Sequence, residues 1–199
     1  MVNLVSKIDS IHELSNPKFI QPIKINYTQN KKKKVWEAVI SHDSVAILLY
    51  HTQKKAFVIV KQLRVPVLNA NKTDGMTHEL CAGIVDKNIK NIEIAREEVL
   101  EECGYNIAVE TIEEITSYYT SVGISGAKQT FYFAQVDDSM RVNDGGGLGD
   151  EEIEVLYIPL HKAKEFMFDE SYQKTPGLMM GFYWFFDAIS HERMVLKEL

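Results

Sequence analysis

Between Ser44 and Val65 the chain reads SVAILLYHTQKKAFVIVKQLRV, two apolar runs separated by the polar stretch Thr52–Lys55. Each run is too short for a helix and rich in β-branched residues, which predicts two strands joined by a turn. Ahead of them, alternation from about Phe19 to Ile40 predicts short strands at IKINYTQ and KVWEAVI around a turn at Asn30–Lys34. THELCAGIV is a further strand ending at Gly83, followed by a loop through Asn91. The period then changes: Ile92, Ala95, Val99 and Cys103 form one apolar stripe of a helix that Gly104 closes. EEITSYYTS and KQTFYFAQV are strands flanking a Gly/Ser turn at Gly123–Gly126, and IEVLYIPL is another. The composition of NDGGGLGDEE predicts a mobile loop. A helix from Lys162 and a buried helix opened by Pro176 finish the chain. This order predicts an α/β domain with a mixed sheet over residues 43–199, preceded by a small β segment over residues 1–42.

Composition changes this picture little, because 45% apolar and 25% charged residues are ordinary for a globular protein of 199 residues. The net charge of −6 argues against nucleic acid and anionic membrane as partners, since both need a positive surface. The run Lys31–Lys34 is the local exception and reads as a solvated loop. Two cysteines, Cys81 and Cys103, suit reduced thiols better than a disulfide scaffold. The stretch MVNLVSKIDS lacks a signal-peptide core, and the longest apolar stretch, Gly177 to Phe186, is about half a membrane span. A cytoplasmic protein is expected.

The candidate chemistry lies in REEVLEECGY, where Glu97, Glu98, Glu101 and Glu102 crowd one short helix. Like charges a turn apart cost about 0.2–0.5 kcal/mol per pair. At about 100° per residue, Glu98, Glu101 and Glu102 share one face of an element that its apolar stripe anchors. An acidic solvent-facing surface is common and accounts for such a helix. The same geometry suits Mg²⁺ or Mn²⁺, which take oxygen ligands and bridge carboxylates to phosphates.

The stretch GIVDKNIKNIEIAREEVLEECGY, Gly83 to Tyr105, resembles a Nudix box, G-x5-E-x7-R-E-U-x-E-E-x-G-U with U apolar. Gly83, Glu98, Val99, Glu101, Glu102, Gly104 and Tyr105 fall in register. Two positions depart: the first glutamate of the pattern falls on Ile89, and its arginine falls on Glu97, with Arg96 one residue early. That arginine orients the acidic side chains in the family. Arg96 points roughly 160° away from Glu98 on a regular helix and does not simply replace it. The segments VKQLR, ELCAGIVDK, HDSVAILL, GISGAKQT, GGGL and GFYWF are similar to the branch that hydrolyses nucleoside-diphosphate sugars, UDP-sugar diphosphatases first and ADP-ribose diphosphatases next.

The resemblance implies a Nudix-type α/β/α sandwich and Mg²⁺-dependent hydrolysis of a UDP-glucose-like substrate to a nucleoside monophosphate and a sugar phosphate, with Mn²⁺ as a possible substitute and ADP-ribose as the second candidate substrate. It implies metal ligation by Glu98 and Glu102, with Glu101 as ligand or supporting acid, and by the carbonyl of Ala82. A further carboxylate, ligand or general base, is expected from a distant loop, where Asp150, Glu151 and Glu152 are the candidates. Glu151 is favoured, two residues ahead of the next apolar strand. Arg64 matches a position that contacts the diphosphate, and its fork suits phosphate oxygens, although a surface ion pair is the plain alternative. Glu79 is placed to meet sugar hydroxyls or support the site. An aromatic of the N-terminal segment stacks on the base in relatives, often across a homodimer interface. Trp36 and Tyr27 are the candidates, with core packing the commoner job for each.

Other chemistries lack their signatures. There is no H-E-x-x-H or C-x-x-C pair for zinc, no G-x-x-x-x-G-K-[ST] phosphate loop and no G-x-S-x-G elbow. The rival from another class is a Nudix fold that senses a nucleotide sugar without cleaving it, motivated by Ile89 and Glu97. The intact Glu98, Glu101 and Glu102 weigh against it.

Overall fold

The computed structural model describes residues 6–17, 20–71, 73–194 and 196. Phe19, where the first alternating segment was expected to begin, lies outside them, as do residues 1–5.

Alternation along one strand builds the whole architecture. In β3 (Ser44–His51), Val45, Ile47 and Leu49 face one core, whereas Ala46, Leu48 and Tyr50 face another. The first core is closed by helix α2 (Asn91–Cys103) through Ile94, Ala95, Val99 and Cys103. The second is closed by α3 (Leu160–Phe168) and α4 (Pro176–Ser190) through Phe166, Leu178, Phe182 and Phe185. The result is an α/β/α sandwich around a mixed sheet.

β3 pairs in parallel with β8 (Lys128–Val136), which in turn pairs antiparallel with β7 (Glu113–Tyr119). On its other side β3 meets β4 (Ala56–Leu63) only over Leu49–His51. Beyond Leu49 the two strands splay, and a bent segment fills the gap. Its first half, β5 (Met76–Glu79), pairs with β4, and its second half, β6 (Cys81–Ile84), pairs with β3. The expected single strand THELCAGIV is therefore two, broken at Leu80, where the chain passes from one neighbour to the other. β9 (Ile153–Pro159) lies along the outer side of β4.

Three other expectations are corrected. The second apolar run stops at Leu63, and Val65–Asn71 forms a helix, α1, with Pro66 in its first turn, where a missing N–H costs nothing. The N-terminal turn is only Asn30 and Lys31, both with positive φ, so Lys32–Lys34 are exposed strand residues rather than loop. That hairpin, β1 (Gln21–Gln29) and β2 (Lys32–Ile40), forms its own two-stranded sheet. It hangs on the β7–β8 loop through Val39 N to Ile124 O (2.8 Å) and Trp36 Nε1 to Gly123 O (3.1 Å). Finally, α3 starts at Leu160 and not Lys162. Among the described residues no helix is long and apolar enough to cross a membrane.

The glycine-rich loop expected to be mobile is fastened down. Gly146 and Gly147 donate their N–H groups to the carbonyls of Glu102 and Glu101 at 3.0 and 3.1 Å. They thereby satisfy acceptors that the end of α2 leaves open. This approach needs glycine at Gly145, whose φ is 71° and where a Cβ would stand 2.2 Å from the Glu102 carbonyl oxygen.

Candidate active site

The site forms where the bend in β5–β6 meets the end of α2. Glu102, expected as a metal ligand on the acidic face, lies at the edge of the apolar stripe and is only 5% exposed. Its Oε2 accepts the backbone N–H of Ala82 at 3.0 Å, and the Cys81 thiol also bonds it. Burial, reinforced by the charges of Glu98 and Glu151, outweighs these donors and pushes its pKa up to about 8.

Glu98, one turn earlier, stands over Gly83. A Cβ at that position would lie 1.9 Å from Glu98 Oε1, so a side chain there would expel the carboxylate. Burial raises Glu98 to about 7, helped by Glu101, Glu151 and Asp86 and opposed by Lys87. Four predicted acids, Glu98, Glu101, Glu102 and Glu151, thus act on one another electrostatically. Glu151 is the loop acid that reaches them, and its Oε2 accepts the N–H of Leu148 at 2.9 Å.

Arg64 and Glu79, singled out separately from the sequence, are each other's partners. Arg64 Nε and Nη2 grip both oxygens of Glu79 at 2.7 Å each, and Thr77 adds a hydroxyl hydrogen bond to Glu79. The Arg64 guanidinium also feels the charges of Glu102 and Glu151, which with Glu79 hold its pKa above the ordinary value. Two of its five N–H donors are used on Glu79, leaving the rest of the fork beside the acids.

The two departures from the motif have local accounts. Glu97 is neutralised by Lys87, whose Nζ lies 2.7 Å from its carboxylate. Ile89 is 41% exposed and serves neither core nor cluster. Arg96 keeps away from Glu98; its Nε is buried without a hydrogen-bond partner among the described residues. Glu93 supplies the helix start, accepting the Lys90 N–H at 3.0 Å.

Trp36 is not brought to the cluster. It is 51% exposed on β2, out of the core, and bonded to Gly123. Tyr27 is half-buried on the neighbouring strand. Cys81 and Lys87 escaped the sequence reading, because nothing in their spacing marks a thiol or an amine that will face a carboxylate contributed by a distant turn of helix.

Among the described residues, no three His, Cys, Asp or Glu side chains converge closely enough to hold an ion as they stand. The donor set nevertheless suits a hard divalent cation: oxygen only, with several charges repelling one another and Glu98 seated over Gly83.

No family model matches the chain. It is 35% identical over 201 residues to the uridine diphosphate glucose pyrophosphatase NUDT14 of Bos taurus, covering 86% of this chain and 90% of that protein. The Mus musculus protein of the same name is 32% identical over 200 residues, with the same coverage. A GDP-mannose pyrophosphatase of Cronobacter sakazakii is 40% identical over 123 residues, 62% of this chain and 63% of that one.

Proposed function

Because the chain belongs to the Nudix family of nucleotide-sugar hydrolases, we propose that it hydrolyses a UDP-glucose-like diphosphate sugar to UMP and a sugar 1-phosphate, with Mg²⁺ as its metal. The observation that carries the chemistry is the acidic cluster of Glu98, Glu101, Glu102 and Glu151, held beside the Arg64 fork. The family is one of enzymes, and hydrolysis of the diphosphate bond follows from it. The uridine and glucosyl preference rests on the two mammalian relatives, which cover nearly their whole length.

Glu98, Glu101 and Glu102 and the Ala82 carbonyl would hold the metal, which when bound neutralises the diphosphate and favours ionisation of an attacking water. The chain's own residues do the rest. Arg64, braced by Glu79, turns its remaining donors to the phosphate oxygens and fixes the diphosphate against the cluster. The N–H of Ala82 and the thiol of Cys81 orient Glu102 so that one carboxylate oxygen is committed to the protein. Glu151, poised by Leu148 and anchored through the loop on α2, is the general base that takes the proton of the water.

The exposed apolar residues on one face of the hairpin, Ile25, Trp36 and Ile40, adjoin the loop that carries the exposed Val122 and Ile124. They support a homodimer in which residues 1–42 form the dimerising and substrate-contacting segment and residues 43–199 the hydrolase domain. Light scattering of the intact protein tests the dimer. Product analysis with UDP-glucose, GDP-mannose and ADP-ribose, with and without Mg²⁺, tests the reaction.

A further inference from the structure

A cavity of about 360 Å³ opens beside the acidic cluster, on the sheet face opposite α2. Glu79 and Ala82 form its inner wall, the same two residues that brace Arg64 and hold Glu102. The cavity thus shares two residues with the cluster that lies across the sheet from it. Its remaining polar wall is neutral. Tyr118 donates its hydroxyl to Gln129 Oε1 at 2.8 Å, and Gln129 Nε2 donates to Ser44 Oγ at 3.1 Å. This chain runs from β7 through β8 to β3 and leaves a defined set of groups unspent. Ser44 keeps its O–H, Gln129 its second amide hydrogen, and Tyr118 its oxygen as an acceptor. Thr175, the N-cap of α4, lies on the same wall. Gly177 is kept small there, because a Cβ would stand 2.9 Å from the Tyr118 hydroxyl.

A wall of neutral donors and acceptors alternating over a few ångströms matches a polyhydroxylated ring. It does not match an anion, since its one charged group, Glu79, is a carboxylate already committed to Arg64. Tyr118 and Tyr119 also present ring faces of the kind a nucleobase stacks on, but the unspent donors and acceptors of the network favour the sugar. Resting on the nucleotide-sugar reading above, we infer that this cavity receives the glycosyl half of the substrate, and that Gln129 and Ser44 are its specificity-determining residues. A site built to hydrogen-bond substrate hydroxyls rejects analogues that lack them, because its own groups are then left unpaired.

The test compares UDP-glucose with P1-uridine P2-methyl diphosphate, which keeps the diphosphate and lacks the sugar, in the intact protein and its Gln129→Leu and Ser44→Ala variants. The preference for UDP-glucose should fall about tenfold or more in Gln129→Leu, through kcat/KM for the sugar substrate alone, while the methyl ester is cleaved as before. Calorimetric titration with glucose 1-phosphate and with UMP runs in parallel, and Gln129→Leu should lose the first and keep the second. Loss of UMP with glucose 1-phosphate retained would assign the cavity to the base and overturn the inference, as would an unchanged preference in both variants. If the parent protein cleaves neither ester, the hydrolase reading fails. The glucose 1-phosphate titration still decides the cavity. Ser44→Ala removes only a hydroxyl, so it reports on the wall if Gln129→Leu does not fold.

Discussion

Gly83 and Glu98 share one small volume: the missing side chain of the glycine is the space that the carboxylate occupies, and a Cβ would come within 1.9 Å of Oε1. The strand must leave β4 at Leu80 and join β3 to bring this glycine under α2. A substitution Gly83→Ala should leave the fold standing, since the atoms it strikes belong to the end of a flexible side chain. Overpacking costs on the order of 1–3 kcal/mol. Turnover should drop about a hundredfold, as expected when a reacting group is displaced by about an ångström. Steady-state kinetics beside a thermal melt separates the two effects.

The raised pKa values of Glu98 (about 7) and Glu102 (about 8) make a signed prediction for the metal-free protein. Both folded values exceed the ordinary carboxyl value of 4.5. Their protonation therefore favours the folded state below that value, and the benefit is lost as pH rises through about 7 to 8. Urea midpoints of metal-free protein should fall between pH 6 and 9, and Glu102→Gln should flatten the fall. Divalent cation should bind more tightly as pH rises over the same range, because ligation displaces those protons. A midpoint that rises with pH in metal-free buffer would contradict the assignment.

Arg64→Lys keeps a charge but loses the two-pronged grip on Glu79. Loss of a charge-assisted bond is worth roughly a factor of ten or more, so kcat/KM should fall at least that far. Glu79→Gln should weaken catalysis in the same direction, by leaving Arg64 free to turn onto Glu102 and Glu151. Kinetics of the two single variants and the double variant should show non-additive losses.

Lys87→Ala is the contrasting case. Its ion pair with Glu97 lies at the surface, where screening leaves little net effect. Activity should stay within about twofold of the parent, and the melting temperature should barely move. A large loss would mean that Glu97 matters to the cluster beyond its pairing with Lys87.

Gly145→Ala places a Cβ 2.2 Å from the Glu102 carbonyl at a φ of 71°, a conformation that L residues rarely adopt. The loop should lift from α2 and Glu151 with it. Faster limited proteolysis at residues 144–151 and reduced kcat at an unchanged melting temperature are the expected signs.

Which of these features could be read from the chain follows from physical range. The two faces of β3 and the helix of Asn91–Cys103 repeat at their own periods, and Gly104 marks the helix end, so local pattern alone exposes them. α1 is seven residues long, too short for a period to show against the apolar run before it. The break at Leu80 is invisible because no glycine, proline or turn residue marks it, and only the choice of neighbouring strand divides the two halves. The burial of Glu102 could not be read from the chain, because it depends on β6 passing beneath, a contact made across twenty residues. The glycine loop looked free because its anchors are backbone carbonyls of another element, which no side-chain pattern records. Arg64 was legible as a polar residue ending an apolar strand and Glu79 as one within the strand leading to Gly83, whereas their pairing depends on the register of β4 with β5.

The most direct test of the central claim is product analysis of UDP-glucose incubated with the parent protein and with Glu102→Gln, in Mg²⁺ and in chelator. Glutamine keeps the oxygen that accepts the Ala82 N–H, so the fold should survive. The account predicts UMP and glucose 1-phosphate from the parent in Mg²⁺ only, and turnover lower by orders of magnitude in the variant. Equal rates in parent and variant, or unchanged hydrolysis in chelator, would contradict it.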